Sequence, residues 1–160
     1  MILYHSGTDI VEKPFIRALS RGRDFGTGFY CTDIPLQAEK WAKRQGRIRK
    51  QTAVINSYNF DIDDARRSIN FKIFEDYTSE WLEMVISCRR DLQCNHGFDI
   101  VYGKIANDDV GETVQAVLDR LMPLDYALQK LVFMPSNNQY CFCTARSLKH
   151  LSYIKFTKLE

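Results

Sequence analysis

The chain has 160 residues, about one domain's length, so separate cofactor-binding and substrate lobes are not expected and residues 1–160 are read as a single domain. A hydrophobic content of 45% and a charged content of 26%, with no low-complexity tract, exclude disordered and collagen-like chains. The formal net charge of +2 falls short of the dense cationic stripe that neutralises duplex phosphates, so nucleic acid is not favoured as the main ligand.

In chain order, Ile2-Leu3-Tyr4-His5 has the character of a short strand stopped by Ser6-Gly7-Thr8, with Leu3 and His5 on one face. Ser20 to Gly28 is rich in Gly, Arg and Asp and forms a loop feeding the β-favouring tetrad Phe29-Tyr30-Cys31-Thr32. Thr32 or Asp33 caps a helix with Pro35 in its first turn, and Leu36, Ala38, Trp41 and Ala42 give its apolar stripe to about Arg47. Lys40, Lys43, Arg44, Arg47, Arg49 and Lys50 follow the same spacing and form the helix's wet face and exit.

Gln51 to Phe60 alternates as a strand, with Val54, Tyr58 and Phe60 on one side. Ser79 caps a helix that buries Trp81, Leu82, Val85 and Ile86, and Phe98 to Gly103 is a further strand. After Asn107-Asp108-Asp109, the residues Val114, Val117, Leu118 and Leu121 recur at helical spacing until Pro123, and a short helix follows from Tyr126 to Val132. Pro135-Ser136-Asn137-Asn138 is a turn cluster that leads into the strand Gln139 to Cys143. Thr144 caps a helix from Ala145 to Leu151, and Ser152 to Phe156 is a last strand. The mixture lacks regular βαβ alternation and predicts an α+β fold on a largely antiparallel sheet.

No stretch approaches the ~18 apolar residues of a membrane span. Met1-Ile2-Leu3-Tyr4-His5 lacks the charged, apolar, small-residue order of a signal peptide. A cytoplasmic location with no membrane partner is therefore expected. The 5 cysteines, an odd number, give no disulfide framework and are expected to be free thiols in a reducing compartment.

Three segments place a polar or aromatic group at a strand end beside a turn: Leu3-Tyr4-His5-Ser6-Gly7, Phe25-Gly26-Thr27-Gly28-Phe29-Tyr30 and Asn138-Gln139-Tyr140-Cys141-Phe142. In this order and spacing the chain resembles ADP-ribosyltransferases of the poly-ADP-ribose polymerase and diphtheria-toxin type. These carry a His on the first strand, a Gly-x-Gly followed by an apolar residue and Tyr, and a Glu at the start of a late strand. His5, Tyr30 and Gln139 match the three positions, so the triad is a His-Tyr-Gln variant. The wider pattern, including Phe98 to Gly103 and Asn137 to Thr144, also resembles a bacterial domain-of-unknown-function family related to these transferases.

The resemblance implies a split, mostly antiparallel sheet with peripheral helices and a cleft. The implied activity is NAD-dependent mono-ADP-ribosyl transfer or NAD hydrolysis. NAD is the substrate, cleaved at the nicotinamide–ribose bond through an oxocarbenium-like state. Tyr30 supplies a platform for the leaving base, and His5 hydrogen-bonds the ribose on the adenosine side. Gln139 accepts from the 2′-hydroxyl without the charge of a Glu, slowing cleavage by about 10- to 30-fold. It also cannot act as a base, which favours a single transfer over polymer building. The expected NAD-binding residues are His5, Ser6, Gly7, Arg23, Gly28, Phe29 and Tyr30, with Lys13 and Arg21 also near the pyrophosphate. Asp99, Asp108 and Asp109 are the candidates for restoring a carboxylate near Gln139. The implied partners are a protein or nucleic-acid acceptor and, since such small bacterial transferases often resemble toxins or effectors, a neutralising antitoxin or immunity protein. Oligomeric state is left open.

Two other chemistries fit less well. Cys31, Cys141 and Cys143 fall in strands rather than at a helix start that would lower a thiol pKa, which counts against a cysteine hydrolase. Cys88, Cys94 and His96 lack paired Cys-x-x-Cys spacing and a fourth ligand, which counts against zinc. The rival of another class is a non-catalytic module that binds NAD, ADP-ribose or a protein on a transferase scaffold.

Overall fold

The computed structural model describes residues 1–18, 21–106, 108–132 and 137–160. Its elements in chain order are β1 (Ile2–Gly7), β2 (Phe29–Cys31), α1 (Pro35–Arg49), β3 (Ala53–Phe60), α2 (Ile62–Ser68), β4 (Phe71–Ile73), α3 (Ser79–Arg90), β5 (Ile100–Gly103), α4 (Asp108–Leu118), α5 (Leu124–Leu131), β6 (Gln139–Phe142), a 3-10 turn (Ser147–His150) and β7 (Leu151–Leu159). The fold is α+β. One sheet has the order β1-β3-β7 and the other β2-β6-β5-β4. All pairings are antiparallel except β4 with β5, which α3 connects.

Period-two alternation explains how the layers assemble. Ile100, Tyr140 and Phe142 point from the four-stranded sheet into a core shared with Leu3, Tyr58 and Phe60 of the three-stranded sheet. Val101 and Cys141, one residue out of phase, meet Trp81, Leu82 and Val85 of α3 together with Val114 and Leu131 of α4 and α5. The other face of the three-stranded sheet is covered by α1, which contacts both β1 and β3. Its buried stripe is Ala38, Ala42 and Gly46. These small residues permit close approach, since a Cβ on Gly46 would lie 2.8 Å from the Gln51 carbonyl.

Among the described residues the two sheets are joined by a bridge between β1 and the residue that follows β2, where Tyr4 and Thr32 exchange backbone hydrogen bonds of 2.8 and 3.0 Å. A long connection between these strands carries Arg23, Asp24 and Phe25, and buried polar groups fix its start. Asn56, fully buried on β3, donates to Asp9 O and accepts from Val11 N, both at 2.9 Å. The Tyr58 hydroxyl donates to Val11 O at 2.5 Å.

Several expectations change. β1 runs on through Ser6 and Gly7, because both pair with β3. Leu36 is 71% exposed, so the α1 stripe lies on the alanines and Gly46 instead. Thr78 rather than Ser79 caps α3, its hydroxyl accepting from Trp81 N at 3.2 Å. Thr32 Oγ1 accepts from Ile34 N, but Ile34 itself is the cap residue of α1. Leu121 falls outside α4, where the left-handed backbone of Arg120 turns the chain away.

The expected helix from Ala145 to Leu151 is a single 3-10 turn, since Thr144 Oγ1 donates to Asp99 and Leu151 is drawn into pairing with Phe60. Two short elements, α2 and β4, lack enough residues for a periodic signal. Ser20, Asn107, Pro135 and Ser136, which belong to expected loops and turns, lie outside the described residues. Cys88 and Cys94 form a disulfide, which corrects the expectation of free thiols throughout and removes both as zinc ligands. Cys31, Cys141 and Cys143 are free. Among the described residues no helix is long and apolar enough to cross a membrane.

Candidate functional site

A cleft of about 1120 Å³ opens along β1, β2 and α1, and His5, Ser6, Gly7, Arg23, Gly28, Phe29, Tyr30 and Gln139 all line it. Three sheet-borne side chains separated by up to 134 positions thus share one cavity wall. Arg21 lines the cleft as well, and Lys13 does not.

His5 sits near the end of β1, where its alternation turns it toward β2. Its Nδ1 lies 2.8 Å from Tyr30 O, and a carbonyl can only accept, so Nδ1 carries the proton. Burial, with the arginines 23 and 17 nearby, pulls the imidazole pKa down to about 4. At neutral pH the ring is therefore uncharged and Nε2 is an acceptor. A Cβ on Gly7 would stand 4.0 Å from that nitrogen, at ordinary contact distance. One face of the ring is covered by Phe29, stacked at 4.2 Å between centroids. Phe29 is only 5% exposed and backs His5 rather than presenting its own face. The Ser6 hydroxyl donates to Ala38 O at 2.7 Å, tying β1 to α1.

Tyr30 is anchored at its tip. Its hydroxyl donates to Gly26 O at 2.6 Å and accepts from Phe25 N at 3.2 Å, while Arg23 lies over the ring at 5.2 Å. Burial holds the phenol pKa well above its usual value. Gly26 needs its residue type, with a φ of +75°. Gly28 is required for contact instead, because a Cβ there would meet Cys141 Sγ and stand 2.8 Å from Phe142 O.

Gln139 opens β6 opposite Gly103. Its Nε2 donates to Asp24 Oδ2 at 2.9 Å and to Lys104 O at 3.4 Å. With the amide nitrogen so committed, Oε1 is the acceptor edge that no donor meets among the described residues. Asp24, 7% exposed, also receives Ala106 N at 2.8 Å and a two-pronged Arg89 contact at 2.9 and 2.7 Å. This carboxylate is saturated and neutralised by Arg89, so it orients the Gln139 amide rather than offering a free base.

Among the described residues the carboxylate beside Gln139 is therefore Asp24, and neither Asp99 nor Asp109. Asp99 is bound by Arg146, Thr144 and Asn70 N, and the Arg146 contact holds its carboxyl below the usual range. Neither Asp99 nor Asp109 lines the cleft, and the Asp108 side chain lies outside the described residues. Asp24 precedes Phe25-Gly26 in a loop and carries no periodic signal. Only its contact with a residue 115 positions away identifies it.

Two further features were not legible. Cys143 Sγ lies 3.4 Å from Cys141 Sγ and 3.8 Å from His96 Nε2. The neighbouring thiol, followed by His96, lowers its pKa to about 6, although Cys143 stands on no helix start that would do so. Neither Cys143 nor His96 lines the cleft. Arg44 and Arg49 of α1 do line it, as does Trp41, so part of the helix's basic face is turned to the site rather than simply to water.

The chain belongs to the family described as a protein of unknown function (DUF3990), which matches residues 1–153. No curated protein and no solved structure matches.

Proposed function

We propose that this member of the DUF3990 family binds NAD in the cleft, cleaves the nicotinamide–ribose bond and passes a single ADP-ribose to an acceptor or to water. The observation that carries this reading is the meeting of His5, Tyr30 and Gln139 along one cationic cavity. Their resemblance to the ADP-ribosyltransferase triad, and two sheets flanked by helices with the cleft at their junction, point the same way. The transferase fold is part of the proposal.

In this reading, neutral His5 accepts a ribose hydroxyl at Nε2, and the Tyr30 ring face holds the nicotinamide. Gln139 Oε1 accepts the 2′-hydroxyl of the nicotinamide ribose, its direction fixed by Asp24 and Lys104 O. The C1′–N bond breaks with its electron pair leaving on nicotinamide, and positive charge spreads between C1′ and the ring oxygen. Water or the acceptor then bonds to C1′ and gives its proton to solvent. An oriented carboxamide dipole stabilises that cation less than a carboxylate, so turnover is slow.

Incubation of the pure protein with NAD, following nicotinamide release against a Tyr30→Ala control, tests the proposal. Release above the control is the expected result. No excess release, with NAD still bound in calorimetry, would identify a non-catalytic NAD- or ADP-ribose-binding module instead.

A further inference from the structure

We propose that the α1 wall of the cleft binds a single-stranded nucleic acid, presenting it as the acceptor of the ADP-ribose. This rests on the NAD reading for the transfer and on separate observations for the binding. Seven arginines and three aspartates line the described cleft, although the whole chain carries only +2. Asp24 is neutralised by Arg89 and Asp9 faces Arg49 at 3.9 Å. Arg44 on that wall and Arg21 in the loop across the cleft have no hydrogen-bond or ion-pair partner among the described residues, so the cleft presents cations that no described residue neutralises.

Trp41 lies on that wall, one helical turn from Arg44 and Gln45, and is partly exposed to the cleft. The cavity volume exceeds the upper range of about 1,000 Å³ for a single small-molecule pocket, which leaves room beside a dinucleotide. An acidic peptide would use the arginines and leave the indole face idle. A nucleotide uses both, its phosphates on arginine and its base stacked on Trp41. A duplex hides its bases from such a ring, so a single strand is the ligand. In the transfer, the C1′–N bond breaks with the electron pair on nicotinamide. A base or sugar nitrogen or oxygen of the strand forms the new bond to C1′ and releases its proton to water.

The test is fluorescence anisotropy of a fluorescein-labelled 12-nucleotide RNA of mixed sequence, with a DNA 12-mer as the second arm, in 50 and 200 mM KCl. Three phosphate contacts imply about a 20-fold loss of affinity across that salt range. Trp41→Ala weakens binding about tenfold and Trp41→Phe largely restores it, whereas Arg44→Gln both weakens binding and flattens the salt dependence. Trp81 is fully buried, so quenching of intrinsic fluorescence on adding unlabelled strand reports Trp41. Stronger binding of one arm identifies RNA or DNA. Binding unchanged in Trp41→Ala and Arg44→Gln, or equal competition by a poly-glutamate peptide, overturns the proposal and points to an acidic protein. Nicotinamide release is followed on the wild type without added strand, so failure of the NAD reading registers in that assay while anisotropy decides the nucleic-acid site.

Discussion

Gln139 Nε2 donates to Asp24 Oδ2 at 2.9 Å across 115 positions of sequence, and Arg89 holds the far oxygen of the same carboxylate. The chain therefore places its carboxylate behind the amide instead of in its place. From sequence alone, Gln139→Glu restores a missing charge. In the folded protein it sets two carboxylates about 3 Å apart, which raises the pKa of one and removes a donor.

Gln139→Glu alone is accordingly expected to lower nicotinamide release and the urea midpoint. Asp24→Asn combined with Gln139→Glu keeps an amide–carboxylate pair and moves the charge to the cleft. The pair is expected to exceed the wild type by about tenfold, for a charged hydrogen bond stronger by about 1–2 kcal/mol in the transition state. A single variant faster than the double one would mean that Asp24 does not govern position 139.

The low His5 pKa predicts a pH dependence of stability. Unfolded, the ring titrates near 6.5, and folded near 4. Between these values the unfolded chain binds more protons, so the stability present above about pH 6.5 is lost as pH falls toward 4, with no further loss from this residue below that. Urea unfolding across pH 4–7 should show this slope in the wild type and a shallower one in His5→Ala. The same variant should bind NAD more weakly by calorimetry.

Gly28→Ala forces a methyl against Cys141 Sγ and Phe142 O and is expected to destabilise the fold by about 1–3 kcal/mol. Gly7→Ala, whose nearest neighbour would be 3.9 Å away, should leave the urea midpoint close to that of the wild type. Equal loss in the two variants would contradict the close packing of β2 against β6.

Cys143 is expected to react with iodoacetamide well before Cys31, with half-maximal rate near pH 6, because its thiolate forms beside Cys141 and His96 while the Cys31 thiol is buried and raised. Mass spectrometry of tryptic peptides reads the order, and His96→Ala should move the midpoint upward.

The amphipathic character of α1 and α3, the alternation of β3, and the strand segments that carry His5, Tyr30 and Gln139 were legible, because each is a local pattern of polarity or backbone preference. The α+β class followed from their order. Shorter pieces such as α2 are held by single contacts, here Asp61 Oδ1 accepting from Asp64 N at 3.0 Å, and leave no periodic trace. The Cys88–Cys94 bond was equally invisible, since pairing depends on where the loop after α3 returns rather than on the number of cysteines.

Sequence by itself determined which side chains could serve the cleft: an imidazole, a phenol and a carboxamide at strand ends. Tertiary structure alone decided their state and company, namely a neutral ring held by Tyr30 O, a phenol pinned to the Phe25-Gly26 turn, and an amide aimed by Asp24. The physical reason is that desolvation and hydrogen-bond direction are properties of the surrounding volume. That volume is filled by residues up to 115 positions away, whose proximity no local pattern encodes.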